Sequence, residues 1–163
     1  MDALTALRTR RSIRRYQDRA VAREALETIV DCGRLAATAR GVQPWEFVVI
    51  TDAAMRVRLT ELCEYGKFLA HSPAVIVVLC AETRYFLEDG CAATQNMLVA
   101  ATALGLGSCW VAGDKKPYAE DVRRLVGAPD GYRLIAVVAV GYADERPSPP
   151  KRALEEVLHW ETF

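Results

Sequence analysis

A length of 163 residues suits one compact domain that buries roughly two-thirds of the surface of its unfolded chain, and no repeat or low-complexity block divides residues 1–163. The 21 basic and 21 acidic side chains cancel, so no overall field draws the protein to nucleic acid or to a membrane surface, and we expect neither as a partner. Hydrophobic residues make up 52% of the chain, an excess that a partner subunit often covers, which favours a dimer.

The N-terminal part predicts two amphipathic helices with a short extended segment between them. Helical spacing of apolar residues at Leu4 and Leu7 indicates the first helix. The same spacing from Ala22 to Gly33 indicates the second. We expect both helices to bury one face.

The intervening segment, Arg10 to Tyr16, is rich in arginine. In an extended chain Arg10, Ser12 and Arg14 would face one side while Ile13 anchors in the core. Guanidinium groups match phosphate oxygens bidentately, and a serine hydroxyl adds a neutral donor. The segment therefore favours a bound phosphate. The alternatives are a solvated charged face and a nonspecific nucleic-acid patch.

The middle of the chain predicts a strand, a helix and a second strand. The block from Gln43 to Phe47 reads as a turn that enters a buried strand ending at Ile50. Asp52 can cap the helix that follows it. Ala74 to Cys80 is apolar throughout, as expected for a central strand with both faces covered.

The second half begins with a long alanine-rich helix. It is predicted from about Tyr85 to Leu104, is apolar nearly all round and is therefore buried on most sides, as the central helix of a dimer would be. Gly105 ends this helix, and Gly107 opens a short strand. The remaining elements are a helix at Ala119–Val126, a strand at Tyr132–Val140 and a terminal helical turn or two at Leu154–His159.

The cysteines and histidines give no sign of a metal site. The five cysteines are widely spaced in apolar stretches without a Cys-x-x-Cys pair, which is typical of reduced thiols in a cytoplasmic protein. Only His71 and His159 could assist them, and neither has ligand spacing. The longest apolar run, Ala74 to Ala81, is far too short to cross a bilayer.

Three blocks in order carry a resemblance to a known family: the arginine segment, the Gln43-Pro44-Trp45 block, and the run from Gly105 to Trp110. From about Leu4 to Trp160 the chain resembles the FMN-dependent nitroreductases in their short, single-domain form. The resemblance implies an α+β, three-layer fold with a central, mostly antiparallel sheet flanked by helices, and an intertwined homodimer. It also implies FMN as cofactor and NADH or NADPH as reductant.

The resemblance assigns residues to the cofactor. It implies that Arg10, Arg11 and Ser12 hold the FMN phosphate and ribityl chain, and that Arg14 lies near the pyrimidine edge of the flavin, where a cation stabilises the charge of the reduced ring. Further cofactor contacts are implied along the rest of the chain, at Lys67, at Ser108, Trp110, Val111 and Ala112, and at the basic pair Lys151 and Arg152.

The segment before Pro44 is expected to lie against the partner's flavin. Its cofactor contacts would be Thr38, Arg40, Gly41 and Gln43. Many relatives carry an asparagine where this chain has Gly41, so one polar contact is lost unless Arg40 replaces it. The C-terminal tail is expected to extend onto the neighbouring subunit.

The resemblance implies hydride transfer by way of flavin N5 to a nitroaromatic, quinone or similar small oxidant. The flavin carries the chemistry, so no catalytic side chain is required, and Arg14 acts as an electrostatic stabiliser. Two other classes stay open. One is an FMN-binding redox partner or sensor with low turnover, and the other is a polyanion binder that uses Arg8 to Arg15.

Overall fold

A computed structural model describes all residues from 1 to 163 and has one four-stranded antiparallel sheet. In spatial order the strands are β1, β2, β4 and β3, and every neighbouring pair is antiparallel. Their bounds are β1 Trp45–Ile50, β2 Ala74–Ala81, β3 Gly107–Ala112 and β4 Tyr132–Gly141.

Helices cover both faces of the sheet and make three layers. One buried cluster joins the sheet to α2 and α4, and the other joins it to α3 and α5. The predicted α+β fold is confirmed, whereas the intertwined homodimer stays a prediction. The helices are α1 Ala3–Thr9, α2 Arg23–Arg34, α3 Ala53–Leu62, α4 Phe86–Ala103 and α5 Ala119–Leu125, with short 3-10 turns at Ala39–Gly41, Lys67–His71 and Leu154–Glu156.

The two inner strands behave as the sequence predicts, and the first strand does not. Residues 74–80 of β2 are all buried, so the prediction of a central strand is confirmed. Strand β1 is an edge strand, since only β2 pairs with it, and Glu46 and Val49 are exposed. The prediction of a buried strand there was wrong, because no strand covers the outer edge of β1, although Trp45 and Ile50 are buried in the cores on the two faces of the sheet.

Strand β4 carries one extra residue opposite β2. The ladder steps from Leu134 to Ala136 and skips Ile135, so Ile135 and Ala136 both pack beneath α2 and α4. Two glycines make room for this bulge. A Cβ at Gly90 on α4 would lie 2.6 Å from Cγ1 of Ile135, and one at Gly113, after β3, would lie 2.7 Å from its backbone carbonyl.

Most predicted helix boundaries are confirmed within a residue or two. Asp52 caps α3 by accepting a hydrogen bond from the Met55 backbone N–H at 2.9 Å. Gly105 follows the C-cap of α4 with a φ of +77°, a conformation that suits glycine. Helix α1 forms and buries Ala6, but Leu4 and Leu7 are 61% and 53% exposed, so the face that the spacing predicts as buried is exposed within one chain.

The C-terminal tail lies outside both cores. Every residue from 148 to 163 is exposed, and Trp160 is 79% exposed. The predicted helical turn is limited to Leu154–Glu156. No helix of the chain combines the length and the hydrophobicity that crossing a bilayer requires.

Candidate functional site

The arginine segment is attached to the start of β3. The Ile13 backbone N–H donates to the Ser108 carbonyl at 2.9 Å, and Ser12 forms a parallel bridge with Ser108. Ile13 is 7% exposed, which confirms that it anchors the segment in the core. Gly107 permits this close approach, because a Cβ there would lie 2.8 Å from Cγ1 of Ile13. The segment is therefore fixed to the edge of the sheet at β3.

A carboxylate from the far end of the chain fixes the other side of this segment. Glu145 Oε1 accepts hydrogen bonds from the backbone N–H groups of Arg14 at 2.5 Å and of Arg15 at 3.1 Å. Its Oε2 pairs with Arg15 Nε at 3.6 Å. The hydrogen bond from the Arg14 backbone, more than any other contact, lowers the pKa of Glu145. Sequence reasoning missed Glu145, which lies in a stretch that looks like a linker.

The segment carries excess positive charge. Of the five arginines from Arg8 to Arg15, only Arg15 forms an ion pair. Arg11 instead donates from Nη1 to the carbonyls of Arg8 and Arg10. Arg8, Arg10, Arg11 and Arg14 form no ion pair within this chain, although the negative charge of Glu145 lies close to Arg14.

Three of the predicted side chains converge on Cys109 of β3, which is 2% exposed. Burial raises the pKa of the Cys109 thiol, while the Arg14 guanidinium, a hydrogen bond from Ser12 and the Arg10 guanidinium oppose that rise. Arg10, Ser12 and Arg14 therefore all act on the Cys109 thiol, which agrees with the alternation of the segment. Next to it the Ser108 hydroxyl is buried without a hydrogen-bond partner. The Nε of Arg11 is buried and unpaired too.

Lys67 lies on the 3-10 turn before β2, near this group. The Arg14 guanidinium carbon is 6.0 Å from the centre of the Phe68 ring, so Arg14 is beside the residue that follows Lys67. The Lys67 ammonium is exposed and donates to the Thr60 carbonyl at 3.0 Å. The Lys67 side chain is therefore occupied by α3.

The loop from Thr38 to Gln43 has an unusual backbone. Arg40, Gly41 and Gln43 have φ values of 57°, 69° and 51°, in the left-handed region. Asp89, on the first turn of α4, accepts hydrogen bonds from the Thr38 hydroxyl and the Ala39 N–H, both at 2.9 Å. Sequence reasoning also missed Asp89, although an acid within a mainly apolar helix is a detectable signal.

This loop does not join the arginine segment within one chain. Asp89 holds the loop at the start of α4, whereas Ser108 follows the end of that helix. Fourteen residues of helix separate Asp89 from Ala103, which corresponds to about 20 Å. The two parts of the predicted site are therefore separate in the monomer.

The remaining predicted contacts divide between β3 and the tail. Ser108 and Val111 are buried, Trp110 is half-buried against the core beneath α2 and α4, and the exposed Ala112 accepts a hydrogen bond from the Tyr118 hydroxyl through its carbonyl. Lys151 and Arg152 are exposed on the tail. Arg152 bonds to Glu156 rather than to any part of the arginine segment.

A large cavity lies away from the arginine segment. It has a volume of about 1280 Å³ and lies among α2, the outer edge of β1 and residues 16–21. Of the arginine segment, only Tyr16 lines it. No group of three or more His, Cys, Asp or Glu side chains is arranged to hold a metal ion, and the five cysteines form no disulfide.

Comparison with known proteins fits this geometry. The sequence model of the Nitroreductase family matches residues 7–65 and 63–142, which include the arginine segment, the Thr38–Gln43 loop and β3. The chain belongs to the nitroreductase family. The resemblance identified in the sequence is thereby confirmed.

Individual members of the family are similar along nearly the whole chain. A Methanothermobacter thermautotrophicus protein with the provisional name NADH dehydrogenase/NAD(P)H nitroreductase is 35% identical over 153 residues, which cover 90% of this chain and 80% of that protein. An FMN-dependent nitroreductase from Clostridium difficile R20291 has a TM-score of 0.90 at 28% identity and covers 98% of this chain and 99% of its own. A provisionally named nitroreductase from Desulfovibrio desulfuricans, solved in complex with FMN, has a TM-score of 0.85 at 32% identity and covers 100% of this chain and 98% of its own.

Proposed function

We propose that this chain is an FMN-dependent NAD(P)H oxidoreductase that transfers hydride by way of flavin N5 to a nitroaromatic, a quinone or a similar small oxidant. The observation that carries the proposal is the arginine segment, which is hydrogen-bonded to β3 and to Glu145 while the guanidinium groups of Arg10, Arg11 and Arg14 form no ion pair within the chain. Family membership and the FMN complex of the Desulfovibrio desulfuricans structure support it. When bound, FMN supplies the redox chemistry.

The polar atoms without partners fit a phosphate-bearing group. The Nε of Arg11 and the hydroxyl of Ser108 are buried and unpaired, a state that costs free energy until a partner is present. Arg10 and Ser12 add donors on the same side of β3. Phosphate oxygens are acceptors that match guanidinium groups bidentately. We therefore assign Arg10, Arg11 and Ser12 to the phosphate and the ribityl chain.

Arg14 has a different role in this proposal. It presents a cation to the pyrimidine edge of the flavin, where negative charge accumulates on reduction, and it raises the reduction potential. Its guanidinium carbon lies 6.0 Å from the centre of the Phe68 ring, and Lys67 directly precedes Phe68 in the chain. Lys67 has to leave the Thr60 carbonyl to reach the cofactor. The backbone of β3 would lie close to the flavin at Ser108, Trp110, Val111 and Ala112.

A homodimer completes the proposed site. The Thr38–Gln43 loop is distant from the arginine segment of its own chain, so its contacts through Thr38, Arg40, Gly41 and Gln43 would be made to the flavin of the partner subunit. The exposed Trp160 in the tail and Leu4 and Leu7 on α1 are apolar surface that a second copy would cover. Lys151 and Arg152 would approach the phosphate once the tail is ordered on the dimer.

The first test is the visible absorption spectrum of the purified protein before and after anaerobic addition of NADH or NADPH. Flavin bands that bleach, and that return when a quinone is added, support the oxidoreductase. Flavin that binds and does not bleach supports the redox partner or sensor, for which the missing asparagine at Gly41 is the sequence argument. A colourless protein that FMN cannot reconstitute contradicts both and favours the polyanion binder.

Two arginine variants separate the roles within the segment. Arg10→Ala should mainly weaken FMN retention, measured by the quenching of flavin fluorescence. Arg14→Ala should mainly lower the flavin potential and slow its reduction. Arg58→Ala, an exposed arginine on α3, is the control and should change neither. Equal and small effects of Arg10→Ala and Arg14→Ala would indicate that the segment is only a solvated charged face.

A further inference from the structure

Asp89 is a buried acid with no role in the proposed function so far. It is 4% exposed on the first turn of α4, and no basic side chain pairs with it. Its surroundings are apolar: burial raises the pKa of the neighbouring Cys80 thiol to about 12, and the Asp89 carboxylate adds to that rise. A carboxylate without a cationic partner is costly to bury unless strong hydrogen bonds satisfy it.

Both carboxylate oxygens of Asp89 accept hydrogen bonds from the Thr38–Gln43 loop. Oδ2 accepts from the Thr38 hydroxyl and Oδ1 from the Ala39 backbone N–H, each at 2.9 Å. The Thr38 oxygen in turn accepts from the Gln43 backbone N–H at 3.0 Å. Asp89 and Thr38 therefore tie the two ends of the loop together through three hydrogen bonds.

The backbone between these ends is strained. Arg40 and Gln43 have side chains but adopt the left-handed conformation, as Gly41 also does. Such conformations persist only where surrounding contacts impose them. The hydrogen bonds of Asp89 and Thr38 impose this one together with two backbone hydrogen bonds, from the Gly41 N–H to the Thr38 carbonyl at 3.4 Å and from the Val42 N–H to the Ala39 carbonyl at 3.3 Å. The side chains of Arg40 and Gln43 are exposed.

A carboxylate in the first turn of a helix also interacts favourably with the helix dipole. Glu88, the exposed neighbour of Asp89, has the same advantage without touching the loop. Glu88 and Asp89 therefore form a matched pair, since both carry the charge near the helix N-terminus and only Asp89 holds the loop.

We propose that Asp89 is a positioning residue for the cofactor site: it locks the Thr38–Gln43 loop in the shape that contacts the flavin of the partner subunit. The inference rests on the proposed function for the identity of that ligand. Asp89 acts through Thr38 and the loop backbone and does not itself touch the cofactor. Loss of its charge frees the loop, so the dimer has to order it again each time the cofactor binds.

The test uses the full-length protein with Asp89→Asn, Glu88→Gln and Thr38→Val. Two quantities are measured: hydrogen exchange of the Ala39 and Gln43 amides in the apoprotein, and the dissociation constant of FMN. In Asp89→Asn the exchange rates and the dissociation constant should each rise by about tenfold, the equivalent of roughly one lost hydrogen bond. Exchange in β2 and β4 should stay unchanged.

Glu88→Gln should match the wild type in both measurements, because it removes the same charge without loosening the loop. Thr38→Val should raise the exchange rates of the same two amides in the apoprotein, and this measurement provides the answer if Asp89→Asn fails to fold. Wild-type FMN affinity in Asp89→Asn, or wild-type exchange of the Ala39 and Gln43 amides in Thr38→Val where only that variant folds, would overturn the inference and leave the proposed function intact. A wild-type protein that binds no FMN would overturn the proposed function and the inference with it.

Discussion

The contact between Gly107 and Ile13 gives a quantitative test of how the arginine segment is held. In Gly107→Ala the new Cβ would lie 2.8 Å from Cγ1, 2.9 Å from Cβ and 3.0 Å from Cγ2 of Ile13. All three atoms are close to the backbone of Ile13, so a rotation at the end of the side chain cannot relieve the contact. The segment itself has to move away from β3.

The expected cost follows from the two effects of the substitution. Overpacking in a well-packed core costs about 1–3 kcal/mol. Replacing glycine with alanine reduces the conformational freedom of the unfolded chain, which stabilises the folded protein by about 0.4–1 kcal/mol. We therefore expect a net loss of about 1–2 kcal/mol in the free energy of unfolding of the apoprotein. Affinity for FMN should fall as well, because Arg10, Ser12 and Arg14 are displaced together.

Urea unfolding of the apoprotein and fluorescence titration with FMN measure both effects. Gly33→Ala is the control: its Cβ would meet Cγ of Met97 at 2.8 Å, but methionine is flexible and this contact is remote from the arginine segment. Affinity for FMN should be unchanged there. Adding Ile13→Ala to Gly107→Ala removes two of the three clashing atoms, so the two costs should be less than additive.

Strict additivity of Gly107→Ala and Ile13→Ala would refute the reasoning, because it would mean that the two residues do not share a contact. A Gly107→Ala protein with wild-type stability and wild-type FMN affinity would refute it too. That result would show that the segment is able to shift on β3 without cost and is not fixed by Ile13.

Two other predictions concern the ends of the site. Glu145 has a lowered pKa in the folded protein, so its contribution to stability is present above the ordinary glutamate pKa of about 4.3 and is lost as the pH falls through the lower folded value. Glu145→Gln should therefore reduce the free energy of unfolding at pH 6, and the difference from the wild type should shrink on acidification; a constant difference across this range would contradict the ionic contribution. Deletion of residues 154–163 should shift the proposed dimer to a monomer in sedimentation experiments, while a dimer that survives the deletion would show that the tail does not hold the subunits together.

Much of the fold could be predicted from the sequence because the decisive interactions are local. The Asp52 cap spans three residues, and the left-handed Gly105 directly follows its helix. The alternation of the arginine segment correctly predicted a buried Ile13. Each of these features is set by a neighbouring stretch of chain and needs no knowledge of distant partners.

The features that escaped prediction depend on which neighbour covers a surface. Apolar spacing in β1 indicates a strand, but it cannot reveal that no strand pairs with the outer edge. The same spacing in α1 does not tell whether Leu4 is covered by its own chain. Glu145 bonds to a backbone N–H that is 131 residues away, and Asp89 to a loop about 50 residues away, so no local pattern connects them.

The bulge at Ile135 has a consequence for engineering this protein. Replacing a helical glycine with alanine is a common route to higher thermal stability, because alanine is the better helix former by about 1 kcal/mol. Gly90 on α4 looks like an obvious target for that strategy. A Cβ at Gly90 would occupy the space that Ile135, the extra residue of β4, fills. A thermostable variant therefore needs a smaller residue at position 135 before alanine can replace Gly90. The two positions therefore constrain each other across the core, although they lie on different layers of the fold.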